Sequence, residues 1–241
     1  MLRIVDGRSG EPVELDPGRR VPLRVLAHTG VAGGTTALRV LLLADVLART
    51  AETWGGQVLV ASVGPADPAL DGAAAALAIR PCAGRGDDVR EAEEALAGRA
   101  RVHVAPAGTD TGGPRLDVGP VHPDEVTATG PALRLALLRL DRRASAELTP
   151  GVLEAADTGL RRWRGDVARW AESPSKPMCA EYVERLQAAL AADLDTASYL
   201  AALDRLEAEA ALPDGSRFET FAQADRVLAL ELTAEVGGVR S

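Results

Sequence analysis

Apolar residues run without a break from Val25 to Ala27 inside the segment Pro22-Leu-Arg-Val-Leu-Ala-His28, and Leu38, Leu41, Leu42 and Val46 recur at helical spacing behind a Gly/Thr-rich stretch. A short apolar run bounded by turn residues reads as a buried strand, and a three-to-four spacing reads as a helix packed on one face. The pattern therefore predicts strand, loop, helix. It predicts a second strand over Gln57–Val63, helices over Pro68–Ala78 and Val89–Leu96, and a third short strand over Arg101–Ala105. Strands alternating with helices imply a parallel sheet with right-handed crossovers. Pro106 cannot donate to a ladder and ends the third strand. It opens a run rich in Gly, Pro and Asp that lasts to about Pro123 and reads as one long loop, a length that marks functional or mobile segments.

Beyond that loop the period becomes helical. Leu133, Leu135, Leu137, Leu138 and Leu140 mark one helix, and Leu153, Leu160, Trp163, Val167 and Trp170 the next, with the two tryptophans read as core. Ser173-Pro-Ser-Lys-Pro177 is a helix-breaking connector. Val183, Leu186, Leu190 and Leu194 form a further stripe, Asp195-Thr196 offer a cap, and Leu200, Leu203 and Leu206 continue the pattern, with Phe218, Phe221, Val227 and Leu230 closing it. The expected fold class is α/β, with a Rossmann-like parallel sheet in residues 1–129 followed by an α-helical bundle in residues 130–241.

Composition narrows the function classes. At 241 residues the chain is long enough to bury a substantial core, and no segment reaches the ~18 consecutive apolar residues of a membrane span. The first residues lack a signal-peptide layout, so the cytoplasm is the expected location and no membrane partner is expected. Cys82 and Cys179 stand far apart, give neither a disulfide framework nor a zinc spacing, and read as buried hydrophobes. A net charge of -8 and an aromatic content of 3% disfavour generic nucleic-acid binding, which needs basic surface and stacking platforms. Lys176 is the only lysine, a bias typical of a GC-rich genome.

Gly130-Pro-Ala-Leu-Arg-Leu-Ala-Leu-Leu138 and Leu186-Gln-Ala-Ala-Leu-Ala-Ala-Asp-Leu-Asp-Thr196 resemble two stretches of the class I cysteinyl-tRNA synthetase family, in the same order and spacing. In layout the chain is most similar to that family's actinobacterial offshoot, the cysteine ligase of mycothiol synthesis, over roughly residues 20–232. The resemblance implies a truncated class I synthetase-type sheet followed by stem helices. It places the ATP-binding HIGH motif in the first strand-loop-helix, with Asp45 in its helix, and the KMSKS loop in the long loop.

Position by position, the family's chemistry is missing. The strand end that carries a zinc-binding cysteine in the family is Ala27-His28 here, and the inserted segment with further ligands does not fit into the about forty residues between the second and third strands. His28, His103 and His122 are left without a cysteine cluster, so no metal and no cofactor is expected. Gly34 and Ala37 replace the polar ends of HIGH, whose donors stabilise charge in the family. The segment matching KMSKS is Arg115-Leu116-Asp117-Val118-Gly119, which keeps one positive charge at Arg115 and adds a negative one at Asp117. The resemblance thus implies a degenerate synthetase-like protein, a pseudoenzyme.

Two readings of Gly30-Val-Ala-Gly-Gly-Thr-Thr36 stay open: an anion cradle built from free backbone donors at a helix N-terminus, or a tight turn capped by Thr35 or Thr36. The candidate ligand-binding residues are His28, Thr29, Gly33, Gly34, Thr35, Thr36 and Arg115. Arg134, Arg139, Arg142, Arg143, Arg161, Arg162 and Arg164 make the helical half locally basic, yet interleaved carboxylates favour a solvated, ion-paired face. A chain ending at Ser241 leaves no room for an anticodon-binding domain, so tRNA is not expected as a partner. The expected function is binding a protein partner or a small aminoacyl- or nucleotide-like ligand. The alternatives are a shrunken ligase or transferase using Thr29, Thr35, Asp110 and Arg115, and a structural helical protein pairing as a homodimer or with an active paralogue.

Overall fold

The computed structural model describes residues 2–16, 19–125 and 129–238. The chain opens with an antiparallel hairpin, β1 (Leu2–Val5) and β2 (Pro12–Leu15). It then runs β3 (Leu23–His28), α1 (Gly34–Thr53), β4 (Val58–Val63), α2 (Pro68–Ala76), β5 (Gly84–Gly86), α3 (Val89–Ala95), β6 (Val102–Pro106) and β7 (Arg115–Val118). β3 to β7 form a five-stranded, all-parallel sheet in the order β5-β4-β3-β6-β7. Counted along the sheet's own strands this is 3-2-1-4-5, the doubly wound, Rossmann-like order. A short parallel pair, β8 (Val121–His122) and β9 (Ala146–Glu147), brackets α4 (Pro131–Arg139). α5 (Pro150–Trp170), α6 (Ala180–Ala191), α7 (Thr196–Ala208) and α8 (Asp214–Leu228) follow, packing on one another and, through α8, on α1.

The strands and helices expected from periodicity are present, the bounded ones with ends shifted by one or two residues, and Leu194 of the expected stripe falls in the turn three residues beyond the end of α6. Local chemistry sets those ends. Asp67 accepts from the amides of Ala69 and Leu70 to start α2 with Pro68 in its first turn, Asp88 caps α3, and Asp195 accepts from Ser198 to start α7. The stretch from Pro106 to Pro123, expected as a loop, contains β7 and β8. In Arg115-Leu-Asp-Val118 only Leu116 and Val118 point into the core, and four alternating residues among Gly and Pro carry too little period to read as a strand. The hairpin β1–β2 and the three-residue β5 escape the apolar pattern for the same reason.

α1 is hydrophobic nearly all round because it is covered on both sides. One side lies on β3, β4 and β6, and the other meets α2 and α8. A single cluster of buried apolar residues runs from Leu2 through the sheet and α1 to Trp163, Trp170 and Phe221 among the helices. Cys82 and Cys179 are half-buried against its edge rather than inside it.

Two charged side chains of α1 lie inside this core. Arg39 donates to the carbonyls of Gly119, Leu140 and Asp141, and burial lowers its pKa to about 10. Asp45 accepts from Arg49 at 2.8 Å, Arg80 at 2.9 Å and Arg134 at 2.9 Å. Arg134, expected on a solvated face, has a fully buried side chain. From α4 its guanidinium reaches Asp45 on α1, the Leu77 carbonyl after α2 and the Leu228 carbonyl at the end of α8. Arg142 is buried as well, whereas Arg139, Arg161 and Arg162 do form exposed pairs with Asp204, Asp157 and Glu207.

The hairpin is held by groups distant in sequence. The Val5 amide donates to Asp193 Oδ1 at 2.8 Å, and the Asp193 amide donates to the Arg3 carbonyl at 2.7 Å. Asp193 also pairs with Arg142 and Arg143, while Asp6 accepts from the Arg115 amide of β7 at 2.9 Å.

Removing one partner from a buried, hydrogen-bonded ion pair strands the other, at about 3–5 kcal/mol. Arg134→Met, which keeps the apolar stem, is expected to lower the unfolding free energy by about that amount in urea denaturation, with Arg161→Met, at an exposed pair, changing it by less than about 1 kcal/mol.

Candidate functional site

In a doubly wound sheet the crevice for ligands opens at the carboxyl ends of the strands where the order reverses. Here the reversal falls between β3 and β6. The turn leaving β3 is tied to the end of β4, because the amides of Thr29 and Gly30 both donate to the Val63 carbonyl, at 3.0 and 2.9 Å. Gly30 lies so close to Gly64 that a Cβ on it would sit 2.7 Å from the Gly64 Cα. Only glycine fits there, and the reason is backbone packing.

Gly33 is the N-cap of α1 and offers no side chain, and neither Thr35 nor Thr36 caps the helix. Both threonines bind another segment instead. The Thr35 amide donates to the Asp124 carbonyl at 2.7 Å, and its hydroxyl lies 3.0 and 2.9 Å from the carbonyls of Pro123 and Asp124. Thr36 Oγ1 accepts from the Val121 amide at 3.0 Å, and the Thr36 amide turns back to the Gly33 carbonyl at 3.1 Å. Residues 121–124 therefore lie across the N-terminus of α1 and engage donors that an anion would otherwise meet. Gly34 makes this approach possible, with φ +41° and space for a Cβ only 1.8 Å from the Asp124 carbonyl oxygen.

Beside this seal is a cleft of about 590 Å3 between the start of α1, α2 and the start of α4. Leu38, Leu70, Leu77 and Leu133 give it apolar walls, and Asp67, Asp124 and Glu125 line it with carboxylates. No arginine or lysine lines it among the described residues. Thr29, Gly33, Gly34 and Thr35 of the candidate residues border this cleft, and Thr36 sits behind them in the seal. Asp124 and Glu125 were not legible as cleft residues, since nothing in the sequence pairs them with residues 88 to 90 positions earlier except contact in the fold.

His28 and Arg115 stand elsewhere. β3 alternates Val25 and Ala27 toward α1 with Leu26 and His28 toward the α3 side, and His103 and Arg115 occupy the same side through the registers Leu26↔His103 and His103↔Arg115. His28 Nε2 and His103 Nδ1 are 2.9 Å apart and both rings are buried, so one nitrogen donates to a neutral partner. Burial pushes both imidazoles down to about 4, helped for His28 by the nearby charges of His103 and Arg115 and for His103 by Arg8. The Arg115 guanidinium is occupied by Asp117 and by the carbonyls of Gly7 and Thr109. Asp110 lies in the turn leading to it. His122 is exposed on β8, apart from the other two histidines.

No family model matches the chain. Part of it is similar to curated proteins named L-cysteine:1D-myo-inositol 2-amino-2-deoxy-alpha-D-glucopyranoside ligase. Identity is 46% over 74 residues with the protein of Streptomyces griseus, covering 31% of this chain and 17% of that one. It is 43% over 81 residues with that of Thermobifida fusca, covering 34% and 18%. It is 39% over 106 residues with that of Segniliparus rotundus, covering 42% and 24%. The similarity thus spans less than a quarter of these relatives' length. For that part of the chain it agrees with the ligase-like resemblance of the sequence.

Two outcomes follow from this geometry. A left-handed backbone costs a residue with a Cβ about 1–2 kcal/mol, and Gly34→Ala adds a clash with Asp124, so its unfolding free energy should fall by at least that much in urea denaturation. The histidines titrate near 6.5 when unfolded and about 4 when folded, so as pH falls through this window the unfolded chain takes up protons first and stability is lost. The decline in Tm between pH 6.5 and 4 should be shallower in a His28→Asn, His103→Asn double variant than in the parent.

Proposed function

We propose that this chain is a ligand-binding protein on a class I synthetase-like scaffold that no longer forms an aminoacyl adenylate. The observation that carries the reading is the Thr35 amide bound to the Asp124 carbonyl at 2.7 Å, at the helix end where such a scaffold would receive phosphate. A polyphosphate placed there must displace the chain's own segment. It would then meet Asp67, Asp124 and Glu125, with no cation among the described residues of the cleft lining to offset its charge. The partial similarity to cysteine ligases supports the scaffold, and the loss of polar groups at Gly34 and Ala37 supports the lost chemistry.

The occupant of the cleft in this reading carries no phosphate. Apolar walls with an acidic rim suit a small neutral or cationic molecule, or an apolar side chain of a protein partner flanked by basic residues. The reading as a ligase or transferase has less behind it. Of its four residues, Thr35 is engaged by residues 123–124, and Arg115 is saturated by protein partners on the far face of the sheet.

Purified protein is expected to show no cysteine-dependent exchange between pyrophosphate and ATP, and no rise in Tm with ATP or with a cysteinyl-adenylate analogue. A ligand at 100 times its dissociation constant adds about 2.7 kcal/mol of stability. A saturable shift of that size with ATP, or exchange above the protein-free rate, would overturn the reading.

A further inference from the structure

A second cavity, of about 500 Å3, opens beneath α2 and shares Thr29 and Leu70 with the cleft. Ser62, at the carboxyl end of β4, forms part of its lining and is 3% exposed. Its neighbour two residues back on the same side of the strand is Val60, part of the apolar core. The Ser62 hydroxyl has no hydrogen-bond partner of normal geometry among the described residues. The Cys82 thiol lines the same cavity; burial pushes its pKa up, and Arg85 and the Ser62 hydroxyl act the other way. A buried hydroxyl without an acceptor or donor is costly, and native proteins keep one where something supplies the partner.

The charges at this cavity are already matched. Arg85 Nη2 is 2.8 Å from both oxygens of Asp71, and its Nη1 donates to the Pro65 carbonyl at 3.1 Å. Arg80 is bound by Asp45 at 2.9 Å and by Glu52 at 2.7 Å. What remains is apolar, with Leu41, Leu70 and Ile79 on the walls. An ion entering would lose its hydration and find no charge free to replace it, whereas a neutral molecule would lose little.

We infer that this cavity binds a small uncharged molecule, apolar over most of its surface, that presents one carbonyl or hydroxyl group to Ser62. The inference does not depend on the reading of the neighbouring cleft, which concerns phosphate at the N-terminus of α1. Size and polarity set the ligand class: a mostly hydrocarbon body fills the space, and a single hydrogen bond fixes its orientation.

Cys82 lines the same cavity, so its alkylation reports occupancy. In a Cys179→Ser background Cys82 is the sole thiol. The probes are 4-methylpentanamide and cyclohexanol, compared with 4-methylpentanoate and 4-methylpentylammonium as charged counterparts. The expected result is that both neutral probes bind, by NMR titration, and slow the reaction of Cys82 with iodoacetamide. Each charged counterpart should bind at least about tenfold more weakly than the amide, and Ser62→Ala should weaken amide binding about tenfold without lowering Tm. Ala75→Trp, placed at the exposed side of the lining, should abolish protection. Charged and neutral probes binding alike, unchanged affinity in Ser62→Ala, or no binding and no protection by either neutral probe at its solubility limit would each overturn the inference.

Discussion

A helix covered on both sides cannot send its charged residues to water, and α1 carries two of them into the core. Asp45 and Arg39 must find partners from elsewhere in the chain, because an isolated buried charge is worth far more in lost hydration than any single contact returns. Arg49 closes on Asp45 from the next turn of α1, Arg80 from the loop before β5 and Arg134 from α4, and Arg39 is wrapped by carbonyls before β8 and after α4. The sheet and the helical half are therefore joined by directional bonds as well as by apolar contact. Apolar packing alone tolerates sliding; the Arg134 fork, with three fixed acceptors on three elements, does not.

The same helix governs the candidate site. Its N-terminus emerges at the switch point of the sheet, the place where a doubly wound fold usually meets a ligand. In this chain the segment that Arg39 helps to anchor continues into residues 121–124, which lie over that N-terminus. Burial of a charge at one end of the contact and sealing of the helix dipole at the other thus involve one continuous stretch. The cleft left beside it inherits carboxylates rather than cations, and the fold offers an apolar, acidic pocket where a phosphate site would be expected.

The elements legible in the sequence were those whose burial follows a simple period. β3, α1, β4, β6 and the helices from α4 to α8 each repeat an apolar position often enough to be read. β7 was not, since its two inward residues sit between Gly and Pro, and Arg134 was misplaced because an arginine in a leucine-rich helix gives no sign of where its guanidinium ends. The Gly/Thr stretch was legible as the turn between β3 and α1, while its bond to Asp124 depends on a contact 89 residues away that no local pattern encodes. His28 was legible as a strand-end residue, but its pairing with His103 required knowing which strands are neighbours.

The N-terminal hairpin has a consequence for the order of assembly. Its first strand is fastened to Asp193, 188 positions later for the Val5 amide, and the loop after it to Arg115 of the last sheet strand. Contacts of such sequence separation form late, because closing a long loop must precede any return from the contact. On a ribosome, residues 2–15, which pair with one another, would emerge well before Arg115 and Asp193. The sheet, α1 and the turn between α6 and α7 must already be in place, so docking of the hairpin is a finishing step that depends on both halves being correctly folded.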